Sequence, residues 1–117
     1  MSDIHYTEVD REFFYDNLDA FLPEKIIDAH THVWCKEFHV GNQSVKRGPT
    51  WPSLATDENT FEDMERNNKM LFPGKKVIPL VFGKVSKDFD ITANNQYIAQ
   101  EAKQYGYPSL CVTRPEW

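Results

Sequence analysis

Strand-like and helix-like stretches alternate over most of this chain, and no other feature of the sequence restricts its fold as strongly. Apolar runs typical of strands occupy residues 25–33, 75–83 and 109–113, and helical patterns occupy residues 60–72 and 91–105 between them. Strands that alternate with helices pair in parallel and are joined by right-handed crossovers. The sequence therefore predicts an α/β fold built from consecutive βαβ units.

A further helix is predicted before the first strand, over residues 7–22. Thr7 and Asp10 have the spacing of a capping pair, and Pro23 ends the pattern. We expect this helix to cover one end or flank of the core, and a partner-binding helix is the alternative. Its apolar residues recur near a 3.6-residue period: Val9, Phe13, Phe14, Leu18, Phe21 and Leu22.

Local signals also mark the later elements. Thr60 followed by Asp63 is typical of a helix N-terminus, and Gly106 is typical of a helix C-terminus. Pro79 lies inside the second strand, where it cannot donate a ladder hydrogen bond. We therefore expect a bulge or a local irregularity at Pro79.

Two histidines, His30 and His32, lie one residue apart at the end of the first strand. Alternate side chains of a strand share a face, so the pattern predicts that both imidazoles point the same way, together with Asp28 and Ile26. Two imidazoles side by side on a rigid strand make half of a metal site. The alternative is a pair of strand-end histidines that hydrogen-bond to the backbone.

The connection after the first strand, residues 35–58, is long and contains several Gly and Pro residues, which is typical of functional or disordered loops. Trp34, His39 and Trp51 lie on or beside it, and they either line a pocket mouth or pack the loop itself. Cys35 is a candidate third metal ligand. A weaker alternative is a small zinc module with four ligands: His30, His32, Cys35 and His39.

The charge and the cysteine content exclude several classes of protein. A formal charge of −5 and a pI near 5.3 argue against binding to nucleic acid or to anionic membranes. Two cysteines do not make a disulfide framework and suit a reducing compartment. We expect a cytoplasmic protein that binds a small-molecule substrate, without nucleic acid or membrane partners, and a homo-oligomer is left open.

The segment Ile27–Trp34, which reads Ile-Asp-Ala-His-Thr-His-Val-Trp, resembles the first-strand motif of the amidohydrolase superfamily. More narrowly, it resembles the branch of metal-dependent hydrolases and decarboxylases that have a TIM-barrel fold. The resemblance implies a (β/α)8 barrel whose first three strands lie in residues 25–117, preceded by an N-terminal helical extension in residues 1–24. Such a barrel takes about 250 residues, so we expect the chain to be the N-terminal part of a larger protein.

The resemblance also implies roles for individual residues. His30 and His32 match the two first-strand ligands of a divalent metal ion, with zinc as the expected metal, and Asp28 matches a supporting acid. The implied activity is that of a hydrolase in which a metal-activated water attacks a small molecule, or that of a decarboxylase. The remaining ligands and the general base belong to later strands, so the 117-residue chain alone is expected to be inactive.

Two basic residues follow predicted strands and could meet an anionic group of a substrate. Arg114 follows the third strand and Lys84 follows the second, and an ordinary surface or structural role is the alternative for each. Trp34 is a further candidate for contact with the substrate. A different class of function is also open, namely a catalytically silent α/β module that assembles with another chain through its open sheet edge.

Overall fold

A computed structural model describes residues 5–41 and 55–116 of the chain. A π-helical turn, Phe14–Leu18, continues the first helix, and a 3-10 turn, Lys36–Phe38, follows the first strand. The prediction of an α/β fold is confirmed, and the described elements form a parallel sheet of two strands with three α-helices. In chain order, these are α1 (Glu8–Phe13), β1 (Lys25–His32), α2 (Phe61–Leu71), β2 (Lys76–Phe82) and α3 (Ile91–Tyr105).

The N-terminal segment is helical as predicted, although only its first part is a regular α-helix. The Asp10 carboxylate accepts hydrogen bonds from both the backbone N–H and the hydroxyl of Thr7, so the predicted capping pair forms. Phe14 is buried and packs edge-on against Phe72. Lys75 holds the end of the segment through an ion pair of 2.8 Å with Asp19.

Much of the apolar surface of this segment remains exposed. Phe21 is 82% exposed, and Val9 and Phe13 are also exposed. The prediction that the segment covers a flank of the core therefore holds for Phe14 and not for these three residues.

The two strands run parallel and contain one irregularity. Asp28 pairs with Pro79, and the next aligned pair is Thr31 with Val81. Two residues of β1 thus oppose one residue of β2, which is the definition of a β-bulge. The expectation of an irregularity at Pro79 is confirmed.

The prediction of a third strand over residues 109–113 is wrong, because these residues do not form a continuous strand. Ser109 forms a single parallel bridge with Val81, and no further ladder follows within the described residues. The side chain of Asn95, on α3, accepts a hydrogen bond from the backbone N–H of Val112 and donates one to its carbonyl. Because α3 takes both backbone groups of Val112, this segment leaves the sheet after one bridge.

Helices α2 and α3 pack on one face of the sheet. Both helices begin and end close to the predicted residues: Thr60 and Asp63 form the capping box of α2, and Gly106 ends α3 in the left-handed conformation at φ 72°. The buried cluster between helices and sheet consists of Val33, Phe61, Met64, Val81, Ile98 and Ala102. In the parts of the chain that are described, no helix has the length and apolar character needed to cross a membrane.

Candidate functional site

The bulge in β1 changes which side chains share a face. Side chains of paired residues in a parallel sheet lie on the same side, and successive residues alternate. Before the bulge, Asp28 pairs with the buried Pro79 on the helix side; after it, His32 pairs with Phe82 on the opposite side. The prediction that Asp28 and Ile26 share a face with the histidines is therefore wrong, because the extra residue inverts the alternation.

The burial of β1 follows this inverted alternation. Thr31 is half-buried and Val33 is fully buried on the helix side. Ile27, which is 73% exposed, lies with His30 and His32 on the other side, which we call the open face. Both imidazoles are exposed on the open face.

The two imidazoles converge. The Nε2 atoms of His30 and His32 are 3.1 Å apart, and the ring of Phe82 lies against both, with centroid distances of 5.0 Å and 4.4 Å. The prediction that the two histidines point the same way is confirmed. Phe82 restricts the directions in which the two rings can turn.

The tautomer of His32 follows from its second contact. Its Nδ1 lies 3.0 Å from the carbonyl oxygen of Gly83. A carbonyl oxygen only accepts hydrogen bonds, so Nδ1 carries the proton and donates it, and the Nε2 of the neutral ring keeps its lone pair. A ligating histidine commonly has such a partner on its other nitrogen.

Two asparagines hold the end of β1, and no motif in the sequence marks either of them. Asn59 donates to the carbonyl of His32 at 2.8 Å, and the buried Asn94 donates to the carbonyl of Val33 at 3.1 Å. Each bond joins positions far apart in the sequence. The only local signal was that Asn94 lies on the apolar side of a predicted helix, which is unusual for an amide side chain.

A complete metal site needs more ligands than these two histidines. Over the described ranges, no group of three or more His, Cys, Asp or Glu side chains is arranged to hold a metal ion. Because His32 Nε2 keeps its lone pair, the 3.1 Å contact is a hydrogen bond that His30 donates from Nε2, and a metal would take the place of this proton. The pair fits part of a metal site, and the remaining ligands would have to come from elsewhere.

The zinc module predicted from four local ligands is not assembled. Cys35 is buried, and this burial raises the pKa of its thiol, which disfavours the thiolate form that binds metals. The ring of His39 packs on Phe89 at a centroid distance of 5.0 Å. Both residues therefore serve the packing of the loop.

Trp34 and Lys84 lie close to each other, just after the ends of β1 and β2. The indole nitrogen of Trp34 donates to the carbonyl of Asp57 at 2.8 Å, so Trp34 holds the segment that leads into α2. The ammonium of Lys84 lies 5.7 Å from the Trp34 ring centroid and 5.9 Å from that of Phe89. Burial lowers the pKa of Lys84. This cation follows Gly83, whose carbonyl accepts the bond from His32.

The other candidates lie elsewhere or outside the described residues. Arg114 is partly exposed and pairs with Glu116 at 3.5 Å. Trp51 lies outside the described residues. A shallow pocket of about 390 Å³ lies between α2 and the end of α3, and it shares no residue with the histidine pair; it is lined by Glu62, Glu65, Arg66, Lys69 and Tyr105.

Comparisons of the chain with protein-family models, with curated proteins and with solved structures gave no match.

Proposed function

We propose that His30 and His32 are two ligands of a divalent metal ion, zinc in the first instance, in a metal-dependent hydrolase of the amidohydrolase type. A decarboxylase of the same branch is the alternative chemistry. The observation that carries the proposal is the distance of 3.1 Å between the two Nε2 atoms. Two imidazole nitrogens this close together would be able to bind the same ion.

The surroundings of the pair support this proposal. His32 donates from Nδ1 to Gly83, which leaves Nε2 available for a metal. Both histidines lie at the C-terminal end of the parallel strand β1, and barrel enzymes carry their active sites at the C-terminal ends of their strands. The metal would supply Lewis acidity and would lower the pKa of a bound water. The chain's own residues orient the two imidazoles, since Gly83 accepts a hydrogen bond from His32 and Phe82 lies against both rings.

The open face supports the finer proposal that this sheet is part of a (β/α)8 barrel. Parallel sheets are normally covered on both faces. Helices α2 and α3 cover one face, whereas the open face carries Ile27 at 73% exposure and is followed by the histidine pair. In a barrel, this face would be the interior, and further βα units would cover it and supply the missing ligands. A cytoplasmic location and a small-molecule substrate remain part of this proposal.

The test is a titration of the chain with Zn²⁺, in which NMR spectra detect the ring signals of its histidines. We expect the signals of His30 and His32 to shift together, and those of His39 to stay in place because its ring packs on Phe89. His30→Ala and His32→Ala should each abolish the shift of the remaining partner, with His39→Ala as the matched control. Zinc binding that is unchanged in the double variant His30→Ala/His32→Ala would overturn the proposal.

A second candidate function is an assembly module without catalysis. In the described part of the chain, β1 pairs only with β2, so its outer edge is unpaired. Four large apolar side chains of the N-terminal segment are also exposed. This candidate predicts concentration-dependent self-association in sedimentation experiments, reduced by Ile27→Lys on the open face. Leu110→Lys is the control, since Leu110 is also exposed and lies beyond β2. A monomer at all concentrations would contradict this candidate.

A further inference from the structure

The bulge in β1 determines on which side of the sheet the histidines lie. If β1 continued in the register of its first half, with Asp28 opposite Pro79, His30 would oppose Val81, which faces the helices and is fully buried. The observed register instead places Thr31 opposite Val81 and His32 opposite Phe82. A shift of one residue moves all later side chains of a strand to the other face. The extra residue therefore turns both imidazoles from the packed side to the open face.

This irregularity leaves a backbone group to be satisfied, and Asp28 satisfies it. A bulge takes one residue out of the regular ladder, so its backbone groups need another hydrogen-bond partner. The N–H of His30 donates to Asp28 Oδ1 at 3.0 Å, and the hydroxyl of Thr31 donates to Oδ2 at 2.9 Å. One carboxylate thus binds the two residues that follow the point where the register changes.

We propose that Asp28 is a positioning residue that directs the histidine pair by holding this bulge. This inference deepens the proposed function and rests on it as far as metal binding is concerned. Asp28 acts through the backbone of His30 and the side chain of Thr31, not through a hydrogen bond to an imidazole ring. Its carboxylate lies on the helix side of the sheet, opposite to the imidazoles.

The experiment compares Asp28→Ala with Asp28→Asn, which keeps an acceptor oxygen for the His30 N–H. One measurement is the NOE between the ring protons of His30 and His32 in the metal-free chain, and the other is the affinity for Zn²⁺. Asp90→Ala is the matched control, because Asp90 also accepts a backbone N–H, from Ala93 at 2.9 Å, at the start of α3.

We expect Asp28→Ala to lose the NOE and to bind Zn²⁺ about 10- to 100-fold more weakly, as is usual when a supporting group of a metal ligand is removed. Asp28→Asn should restore the NOE and most of the affinity, and Asp90→Ala should retain both. An Asp28→Ala variant that keeps the NOE, with an affinity within about twofold of the original chain, would overturn the inference.

The two measurements separate this inference from the proposed function. If Zn²⁺ does not bind through the histidines, the proposed function fails, while the NOE in the metal-free chain still decides whether Asp28 directs the rings. If Asp28→Ala does not fold, Thr31→Val replaces it, since it removes only the bond to Oδ2. A weakened NOE in Thr31→Val supports the inference, and an unchanged one overturns it.

Discussion

A Cβ atom placed on Gly83 would lie 2.5 Å from the side-chain nitrogen of Asn94. This nitrogen is the donor to the Val33 carbonyl, so the absence of a side chain at residue 83 lets α3 reach the end of β1. The carbonyl of Gly83 accepts the bond from His32. One glycine therefore permits the close packing of helix and sheet immediately beside the histidine pair.

We predict that Gly83→Ala lowers the free energy of unfolding by about 2–3 kcal/mol, because the added methyl group overpacks a buried site and displaces the amide of Asn94. Urea denaturation measures the change. In an Asn94→Ala background, Gly83→Ala should lower the free energy of unfolding by less than about 1 kcal/mol, since the clashing amide is gone. Equal costs in both backgrounds would show that the contact with Asn94 is not the cause.

Asp63→Asn should destabilise the fold at neutral pH by about 1–2 kcal/mol. Burial opposes ionisation of Asp63, but hydrogen bonds from Thr60 and the ion pair with Arg66 outweigh it and lower the pKa of the carboxyl group. The folded state then holds the charged form more strongly than the unfolded state. The resulting stability is present above about pH 4, the ordinary range of aspartate, and is lost as the pH falls through the lower pKa of the folded state.

Acid denaturation of Asp63→Asn should therefore show a weaker dependence on pH below about pH 4 than the original chain. Glu62→Gln, in the same turn of α2 but exposed, is the control. Identical acid profiles for Asp63→Asn and the original chain would contradict this prediction.

Tyr107→Phe should lower the free energy of unfolding by about 1–2 kcal/mol at neutral pH, because the variant loses the hydrogen bond that the Tyr107 hydroxyl donates to the Glu65 carboxylate. Burial, and then this hydrogen bond, raise the pKa of Tyr107 to about 12. The contribution is complete below about pH 10, where an unfolded tyrosine ionises, and it is lost as the pH rises towards the folded value. The variant should thus lose less stability than the original chain over this alkaline interval.

Thermal denaturation between neutral and alkaline pH checks the prediction for Tyr107, with the exposed Tyr15→Phe as the control. If the stability of Tyr15→Phe and that of Tyr107→Phe change with pH in the same way above neutrality, Tyr107 is not the cause of the alkaline loss of stability.

Lys84→Met should leave the free energy of unfolding unchanged or raise it by about 0.5 kcal/mol. Burial lowers the pKa of the ammonium, which means that the folded state disfavours its charge. Methionine keeps an apolar chain of similar length over the Trp34 ring without that charge. A loss of more than about 1 kcal/mol in urea denaturation would indicate that the contacts of the ammonium with the Trp34 and Phe89 rings stabilise the fold.

Residues close together in the sequence determine a large part of this protein. Thr7 and Asp10 cap the first helix, Thr60 and Asp63 cap α2, and Gly106 ends α3, all as the sequence predicts. These signals are reliable because each involves a turn of the chain and a hydrogen bond over three or four residues. The apolar runs likewise predict both paired strands.

Only the tertiary structure decided the details of the site. Alternation alone places Asp28 with His30 and His32, whereas pairing with β2 introduces a bulge that separates them. The bulge depends on the register against a strand about fifty residues away, and no local pattern specifies that register. For the same reason, the loss of the third strand to the contact between Asn95 and Val112 could not be predicted from the sequence. The sequence by itself determined that two histidines end a strand, and packing between distant residues decided which way they face.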